Sequence, residues 1–301
     1  MSARKEKLLS LYGVNFSGKN YDELLSMYKN TLNKGVHGLC MSPYEEGQQP
    51  GDQLSRGQIE RRLDIMKPYT QWVRTFSCTE GNERIPEMVK QRGMRTLVGA
   101  WLGTDAKINE QEITNLIEVA KQGYADIVAV GNEVLYREDL SEQELLKFIK
   151  RVKEELPGIP VGYVDAYYEF CNRSKVVDAC DVILANCYPF WEGCSLEDSF
   201  LYMKDMYRRA LMAGKGKKVI ITETGWPNAG GGFYGAEASA ANALKYFINA
   251  QQWSKEEGIE MFYFSSFDES WKTSTEGGVG AYWGIWDKDE KLKYIGEKSK
   301  V

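Results

Sequence analysis

The sequence predicts an α/β fold, a (β/α)₈ TIM barrel that forms a single domain behind a short N-terminal extension. Three observations support this prediction. Eight short apolar runs rich in β-branched residues are separated by helix-like segments. The length of 301 residues suits a barrel, which typically needs about 250 residues. Two of the apolar runs end on a glutamate, and parallel strands deliver functional residues at their carboxyl ends.

The first part of the chain precedes this regular alternation. Residues 1–35 are expected to form the extension and residues 36–301 the barrel. Within the extension, residues 12–18 are interpreted as a short strand. Residues 22–33 are predicted to be helical, because Tyr28 and three leucines recur there at helical spacing. We expect this segment to pack outside the main fold.

The barrel strands are predicted from apolar runs that turn-forming residues bound, a pattern typical of parallel strands buried on both faces. Ser55 is expected to cap the first barrel helix, and Ser141-Glu-Gln-Glu resembles a capping box. In order, the predicted strands cover residues 36–42, 71–76, 96–102, 126–130, 160–164, 182–187, 218–223 and 260–267. The predicted helices cover residues 55–66, 82–92, 108–122, a segment from 141, 168–178, 197–213 and 237–256.

Composition and motifs argue against several function classes. The formal net charge is -5 and basic residues are scattered, so no nucleic-acid partner is expected. No segment approaches the roughly 20 apolar residues of a membrane span, so no membrane insertion is expected. The absence of a GxGxxG or Walker motif weakens a nucleotide-binding alternative. Neither a cofactor nor a metal is expected, and the lone His37 is interpreted as a structural histidine.

The cysteines and the N-terminus bear on the cellular compartment. The six cysteines form no CxxC pair and several fall in predicted strands, which favours buried free thiols over a disulfide framework. The opening residues lack the apolar core of a signal peptide. The chain as it stands is therefore expected to be cytoplasmic, and removal of a signal would instead make it secreted or periplasmic. A monomer is expected.

The two strand-end glutamates form a candidate catalytic pair. Ile127–Val130 leads into Gly-Asn-Glu133, and Lys218–Thr222 leads into Glu223. These glutamates would follow the fourth and seventh strands and project into the same bowl. Two carboxylates about 5–5.5 Å apart suit a retaining glycosidase, in which one is the nucleophile and the other serves as acid and then base.

The sequence around both glutamates resembles a known family. Val130-Gly-Asn-Glu-Val134 and Thr222-Glu-Thr-Gly-Trp-Pro227 resemble the two signatures of glycoside hydrolase family 17, the β-1,3-glucanase family of barrel glycosidases. The similarity extends over most of residues 36–290, and Gly280–Trp286 resembles the segment that closes the barrel in bacterial members. The resemblance implies a β-1,3-linked glucan or gluco-oligosaccharide as substrate and requires no cofactor.

The resemblance also implies roles for individual residues. Glu133 would be the acid/base and Glu223 the nucleophile. Asn132 would bind the sugar 2-hydroxyl, and Tyr188 would donate a hydrogen bond to Glu223. Glu269 and Lys272 match a polar pair that lines the family's cleft. For Arg74, two interpretations are open: it reduces the repulsion between the two carboxylates, or it forms a salt bridge at the rim.

Aromatic side chains near the predicted strand ends are candidate sugar platforms, because pyranose CH faces stack on aromatic rings. Trp226 and Trp271 are expected to stack on sugar, and Trp101 is a further candidate. Tyr44, in the first loop, is expected to serve the negative subsites. The alternative for this set is packing under the loops.

The expected function is that of a retaining endo-β-1,3-glucanase, laminarinase-like, that works by double displacement. A β-1,3-glucanosyltransferase is the main alternative, because the catalytic motifs do not tell whether water or a sugar resolves the intermediate. A non-catalytic β-glucan-binding barrel is also open, although the presence of both glutamates and Tyr188 argues against it. A β-1,4-glycanase is disfavoured only by the resemblance around Glu223.

Overall fold

The computed structural model describes residues 11–294 of the chain. Eight parallel strands close into a barrel in the order β1-β10-β7-β6-β5-β4-β3-β2, which confirms the predicted (β/α)₈ fold. The strands are β1 Val36–Cys40, β2 Thr70–Arg74, β3 Arg95–Ala100, β4 Ile127–Asn132, β5 Val161–Ala166, β6 Val182–Asn186, β7 Lys218–Thr224, β8 Gly232–Phe233, β9 Ala236–Glu237 and β10 Met261–Tyr263. β8 and β9 form a separate antiparallel pair after β7.

The helices surround this barrel. They are α1 Tyr21–Asn33, α2 Arg56–Met66, α3 Ile85–Gln91, α4 Ala106–Lys121, α5 Glu142–Glu155, α6 Tyr167–Asn172, α7 Ser174–Ala179, α8 Leu196–Ala213, α9 Ala240–Glu257 and α10 Thr273–Glu276. Ser55 and Ser141 each cap a helix through a complete capping box, which satisfies backbone groups that the first turn leaves unpaired.

Two elements of the barrel region differ clearly from their predicted form. The last barrel strand ends at Tyr263 rather than at residue 267, because the Ser265 amide donates to the Trp283 carbonyl and the Ser265 carbonyl accepts from the Ile285 amide. The apolar run therefore continues beyond Tyr263, but Ser265 forms these backbone hydrogen bonds with the later segment at Trp283 and Ile285. The helix predicted over 168–178 is divided into α6 and α7, because Arg173 leaves the helical conformation.

The helix of the N-terminal extension covers part of the barrel wall. α1 buries its apolar side chains, and the Tyr28 ring lies 4.8 Å from that of Phe247 in α9. Within residues 11–294, only short helical segments follow β10, so α1 lies where a regular barrel places a helix after its eighth strand. The strand predicted at residues 12–18 is absent; the Val14 amide donates instead to the Asn249 side chain.

The remaining structural expectations concern cysteines and membranes. All six cysteines are free, as predicted, and four of them are buried. Among residues 11–294, no helix has the length and apolar character needed to cross a bilayer. Residues 1–10 and 295–301, which belong to the predicted extension and barrel, lie outside the described residues.

Candidate active site

Four barrel strands bring polar side chains together at one end of the barrel. Arg74 ends β2, Asn132 ends β4, Asn186 ends β6, and Glu223 is the penultimate residue of β7. Because all four strands run parallel, their carboxyl ends open into the same bowl. The side chains are buried there, so each polar group needs a partner within the cluster.

Glu223 accepts hydrogen bonds from three different residues. Its Oε1 lies 2.6 Å from Arg74 Nη1 and 3.1 Å from Asn186 Nδ2, and its Oε2 lies 2.8 Å from the Tyr188 hydroxyl. Burial and the Glu223 charge raise the pKa of Tyr188 well above its ordinary value, so this hydroxyl remains a donor. Three donors around one carboxylate, one of them cationic, stabilise the ionised form.

Glu133 is held in a different environment. It follows β4 with a backbone φ of 52°, and its amide donates to the Val164 carbonyl of β5 at 2.8 Å. Its Oε1 accepts from Asn186 Nδ2 at 2.8 Å. Burial, and then the negative charge of Glu223, raise the pKa of Glu133 to about 7. One carboxyl group of the pair is therefore suited to hold a proton, while the other is stabilised as an anion.

Asn186 connects the two carboxyl groups. Its Nδ2 donates to the Oε1 atoms of both Glu133 and Glu223, at 2.8 and 3.1 Å. The Thr222 hydroxyl donates to Asn186 Oδ1 at 2.9 Å, which orients the amide nitrogen towards the carboxylates. Because both oxygens bind one nitrogen, these two oxygens cannot be more than about 6 Å apart, which is compatible with the roughly 5–5.5 Å separation of a retaining pair.

The sequence prediction missed Asn186, although a signal for it was present. The residue ends an apolar run, Val182–Ala185, as Asn132 does on β4. A polar residue in that place at the end of a parallel barrel strand indicates a position in the bowl. The same argument that identified Glu133 and Glu223 would therefore have found it.

Arg74 lies inside the cluster rather than at the rim. Its Nη1 contacts Glu223, and its Nη2 donates to Asn132 Oδ1 at 2.7 Å. The guanidinium also stacks over the Phe76 ring, 4.1 Å from the centroid. Of the two interpretations left open by the sequence, the structure supports a buried cation that offsets carboxylate charge and orients Asn132.

A second polar pair adjoins this cluster. Lys272 Nζ lies 2.7 Å from Glu269 Oε2, and both side chains are buried. The ammonium group also lies 4.4 Å from the Phe264 ring centroid, and that ring packs against Tyr188. Sequence reasoning missed Glu276, whose pKa burial raises to about 7 despite the opposing charge of Lys272. It ends the short helix α10, whose small and polar residues carried no signal for such burial.

Three of the predicted aromatic residues lie at the edges of the bowl. Trp271 is half-buried, with its ring at 6.0 Å from that of Tyr44. Tyr44 itself is only 7% exposed, and its amide donates to Glu269 Oε1 at 3.0 Å. Trp101, beyond β3, is 39% exposed with Arg137 stacked over its ring. Sugar binding by these three residues stays a prediction.

Trp226 is a correction to the sequence prediction. Its side chain is 1% exposed, and its ring packs against Phe190 and Tyr246 in the core. Its indole nitrogen donates to the Glu237 carbonyl at 2.9 Å, so the polar atom is satisfied internally. No face of the ring is available to a sugar. The stacking role expected for Trp226 is therefore wrong, because Phe190 and Tyr246 pack against the ring and bury it.

The chemistry that this arrangement can perform follows from its groups. Within the described residues, no group of three or more His, Cys, Asp or Glu side chains could hold a metal ion. The cluster instead offers a protonatable carboxyl group, a stabilised carboxylate, and a ring of amide, phenol and guanidinium donors. Such a set can donate a proton to one atom of a bound substrate while the carboxylate attacks a neighbouring atom.

Comparison with known proteins agrees with this geometry. Residues 38–284 match the family model described as the BtgE/BtgC glycoside hydrolase domain. The glucan 1,3-beta-glucosidase of Arthroderma benhamiae is 30% identical over 266 residues, which cover 81% of this chain and 85% of that protein. The glucan 1,3-beta-glucosidase of Saccharomyces cerevisiae is 26% identical over 266 residues, which cover 80% of this chain and 85% of that protein.

Solved structures show the same relationship. The glycoside hydrolase family 17 β-1,3-glucanosyltransferase of Rhizomucor miehei superposes with a TM-score of 0.78 at 31% identity, and the match covers 87% of this chain and 97% of that chain. An endo-laminarinase from Formosa Hel1_33_131 has a TM-score of 0.75 at 19% identity, with 89% of this chain and 87% of that chain covered. The latter similarity is one of fold alone.

Proposed function

The chain belongs to glycoside hydrolase family 17, in the group described by the BtgE/BtgC domain, and on that basis we propose that it is a retaining endo-β-1,3-glucanase. The substrate class follows from its relatives, whose names specify glucan with β-1,3 linkages. The observation that supports the mechanism best is the single Asn186 amide nitrogen shared by Glu133 and Glu223.

In the first step, Glu133 donates its proton to the glycosidic oxygen while Glu223 attacks the anomeric carbon. The bond between that carbon and the leaving oxygen breaks, and a glucosyl ester forms on Glu223. In the second step, the Glu133 carboxylate takes a proton from water, and the resulting attack releases Glu223. Two inversions at the anomeric carbon produce net retention. The contrasting environments of the two carboxyl groups support this division of roles.

Asn132 and Arg74 assist at the transition state in this proposal. Asn132 Oδ1 already accepts a hydrogen bond from Arg74 Nη2. The Asn132 amide nitrogen is therefore the atom that would donate to the substrate 2-hydroxyl. A hydrogen bond to that hydroxyl strengthens as positive charge develops on the sugar ring. Glu269 and Lys272 would bind further hydroxyl groups of the same sugar chain.

The activity should depend on pH through Glu133. Its raised pKa, about 7, keeps the acid protonated below that value, so kcat/KM for laminarihexaose should fall about tenfold per pH unit above it. In Glu133→Gln, assayed at its residual rate with the same laminarihexaose, this basic limb should be absent. Because Glu276 has a similar pKa, Glu276→Gln serves as the control and should retain the limb. Loss of the limb in the control variant would contradict the assignment to Glu133.

Transfer to a second sugar is a candidate alternative to hydrolysis. The Rhizomucor miehei protein that superposes on this chain is a β-1,3-glucanosyltransferase. The acid protonates the leaving group, so the side chains beside Glu133 face the leaving or acceptor sugar. Tyr136, three residues later, is 56% exposed, and its ring lies 6.5 Å from that of Tyr168. An aromatic surface there would suit an incoming sugar as well as a departing one.

Product analysis distinguishes these functions in one experiment. The protein is incubated with laminarin and with laminarihexaose, and the products are followed by chromatography and NMR. Shorter products alone are expected and indicate hydrolysis, whereas products longer than six units from laminarihexaose alone indicate transfer. Early appearance of the β-anomer supports retention, and early appearance of the α-anomer would contradict the double displacement. Binding without any product would indicate a carbohydrate-binding barrel instead.

Tyr136 offers a separate prediction about the leaving-group side. Tyr136→Ala should lower kcat/KM for laminarihexaose about 2–10-fold, because an aromatic contact contributes about 0.5–1.5 kcal/mol. The value for an aryl laminaribioside, which places no sugar beyond the scissile bond, should be unchanged. Tyr234→Ala, at a tyrosine that is 92% exposed beyond β8, is the matched control. Equal losses for both substrates would place Tyr136 outside the leaving-group site.

A further inference from the structure

The backbone at Glu133 adopts an unusual conformation. Its φ of 52° lies in the left-handed region, which is uncommon for a residue other than glycine. A strained backbone of this kind costs about 1–3 kcal/mol and persists only where the surrounding structure enforces it. The direction in which the Glu133 side chain points therefore depends on the groups that hold the segment after β4.

Strand β5 supplies two of those groups. The Glu133 amide donates to the Val164 carbonyl at 2.8 Å, and the Leu135 amide donates to the Tyr163 hydroxyl at 2.9 Å. The second contact is between backbone and side chain, so it depends on the identity of residue 163. It fixes the chain two residues beyond Glu133, on the far side of the strained position.

The Tyr163 hydroxyl is itself oriented by a buried carboxylate. It donates to Asp165 Oδ2 through a short hydrogen bond, which leaves its oxygen free to accept from the Leu135 amide. Tyr163 and Asp165 are two residues apart on one strand and so share a face. Asp165 Oδ1 accepts from the Ala166 amide at 2.8 Å, and both side chains are fully buried.

No ion-pair partner accompanies Asp165 within residues 11–294, so its negative charge is not offset by a direct salt bridge. Burial raises the pKa of Asp165 to about 6. Its charge also contributes to the raised pKa of Glu133, after burial and the charge of Glu223. Burying a carboxylate of this kind costs free energy unless its oxygens accept hydrogen bonds.

We propose that Tyr163 and Asp165 are positioning residues for Glu133: the Asp165 carboxylate orients the Tyr163 hydroxyl, which holds the Leu135 amide and thereby aims the Glu133 carboxyl group at the leaving oxygen. This inference rests on the proposed role of Glu133 as acid. Neither residue touches the substrate in this account. Their effect is on the alignment of proton donation, and it should therefore depend on how much the leaving group needs a proton.

The test compares two substrates in Tyr163→Phe. kcat/KM for both reports the glycosylation step, but only laminarihexaose has a leaving group that requires the acid. We expect kcat/KM for laminarihexaose to fall about 10–100-fold, because small displacements of a catalytic group cost up to about 100-fold. For a dinitrophenyl laminaribioside the fall should be less than about 3-fold. Equal losses for both substrates, or no loss for either, would overturn the proposal.

Two further variants keep the test decisive. Asp165→Asn retains an acceptor for the Tyr163 hydroxyl but loses the charge, so the same selective loss is expected at about 3–10-fold. Asp165→Asn takes the place of Tyr163→Phe in the test if the Tyr163→Phe protein does not fold. A loss of kcat/KM in Asp165→Asn that is equal for both substrates would contradict the proposal. Tyr167→Phe, at a buried tyrosine whose hydroxyl lies 3.2 Å from that of Tyr202, is the matched control and should affect both substrates alike.

Glu133→Gln is measured alongside these variants. If it shows no difference between the two substrates, the assignment of Glu133 as acid fails, whatever the result at Tyr163. If it does show the difference and Tyr163→Phe does not, the proposed function stands and the positioning role is refuted. Thermal denaturation of each variant separates loss of alignment from loss of fold, because unfolding lowers turnover of both substrates together.

Discussion

Replacing Glu223 with alanine is expected to lower kcat/KM for laminarihexaose by at least about 10⁴-fold. In the proposed mechanism the substitution removes the atom that forms the covalent intermediate, and losses of this size are typical when a nucleophile is deleted. Binding of laminarihexaose, measured by calorimetry, should change little, because the remaining polar and aromatic groups still line the bowl. Turnover within tenfold of the unmodified protein would refute the role of Glu223.

A rescue experiment tests the same assignment from the opposite direction. With a dinitrophenyl laminaribioside, azide can enter the space that the alanine leaves and attack the anomeric carbon, while the aryl group departs. The product should be the α-glycosyl azide, since only one inversion has occurred. Glu118→Ala, at an exposed glutamate of α4, is the control and should retain full turnover without azide. A β-glycosyl azide would indicate that another residue is the nucleophile.

Replacing Arg74 with methionine is expected to reduce both stability and activity. The free energy of unfolding at pH 7 should fall by about 3–5 kcal/mol, because the substitution leaves the buried Glu223 carboxylate without its cationic partner. kcat/KM for laminarihexaose should fall about 10²–10³-fold, because Glu223 and Asn132 both lose the donor that orients them. Urea denaturation and steady-state kinetics measure the two effects.

Two comparisons separate the buried charge from general loss of packing. Arg151→Met removes an exposed ion pair with Glu110, and such pairs contribute only about 0–1 kcal/mol. The double variant Arg74→Met/Glu223→Gln removes the unpaired charge and should recover much of the lost stability. If the double variant is no more stable than Arg74→Met alone, lost packing rather than charge explains the effect.

The sequence was most informative for residues whose position in the fold depends on a single local requirement. The strand of residues 218–223 was predicted from its apolar, β-branched run, and a buried parallel strand must be apolar on both faces. Position along that strand then predicted that Glu223 would lie in the bowl. Glu133 followed from the same argument on β4, whereas Asn132 was indicated by the family resemblance. The helix cap at Ser55 and the capping box at Ser141 were predicted because they depend on contacts within four residues.

It was least informative where a side chain had two plausible environments. Trp226 follows β7, the strand that carries Glu223, so a sugar platform and a core position were both compatible with its place in the chain. The choice depended on the course of the loop and on the positions of Phe190 and Tyr246, which belong to other elements. For Arg74, likewise, burial and partners far along the chain decided between a rim salt bridge and the catalytic cluster.

By itself, the sequence determined the barrel class and the two glutamates, because apolar periodicity and strand-end position are local properties of the chain. Only the tertiary structure decided how these carboxyl groups are tuned. Asn186 from β6 joins them, Arg74 from β2 compensates the charge of Glu223, and Tyr163 from β5 holds the segment that carries Glu133. These contacts join residues that lie far apart in the chain, so they exist only once the barrel has closed.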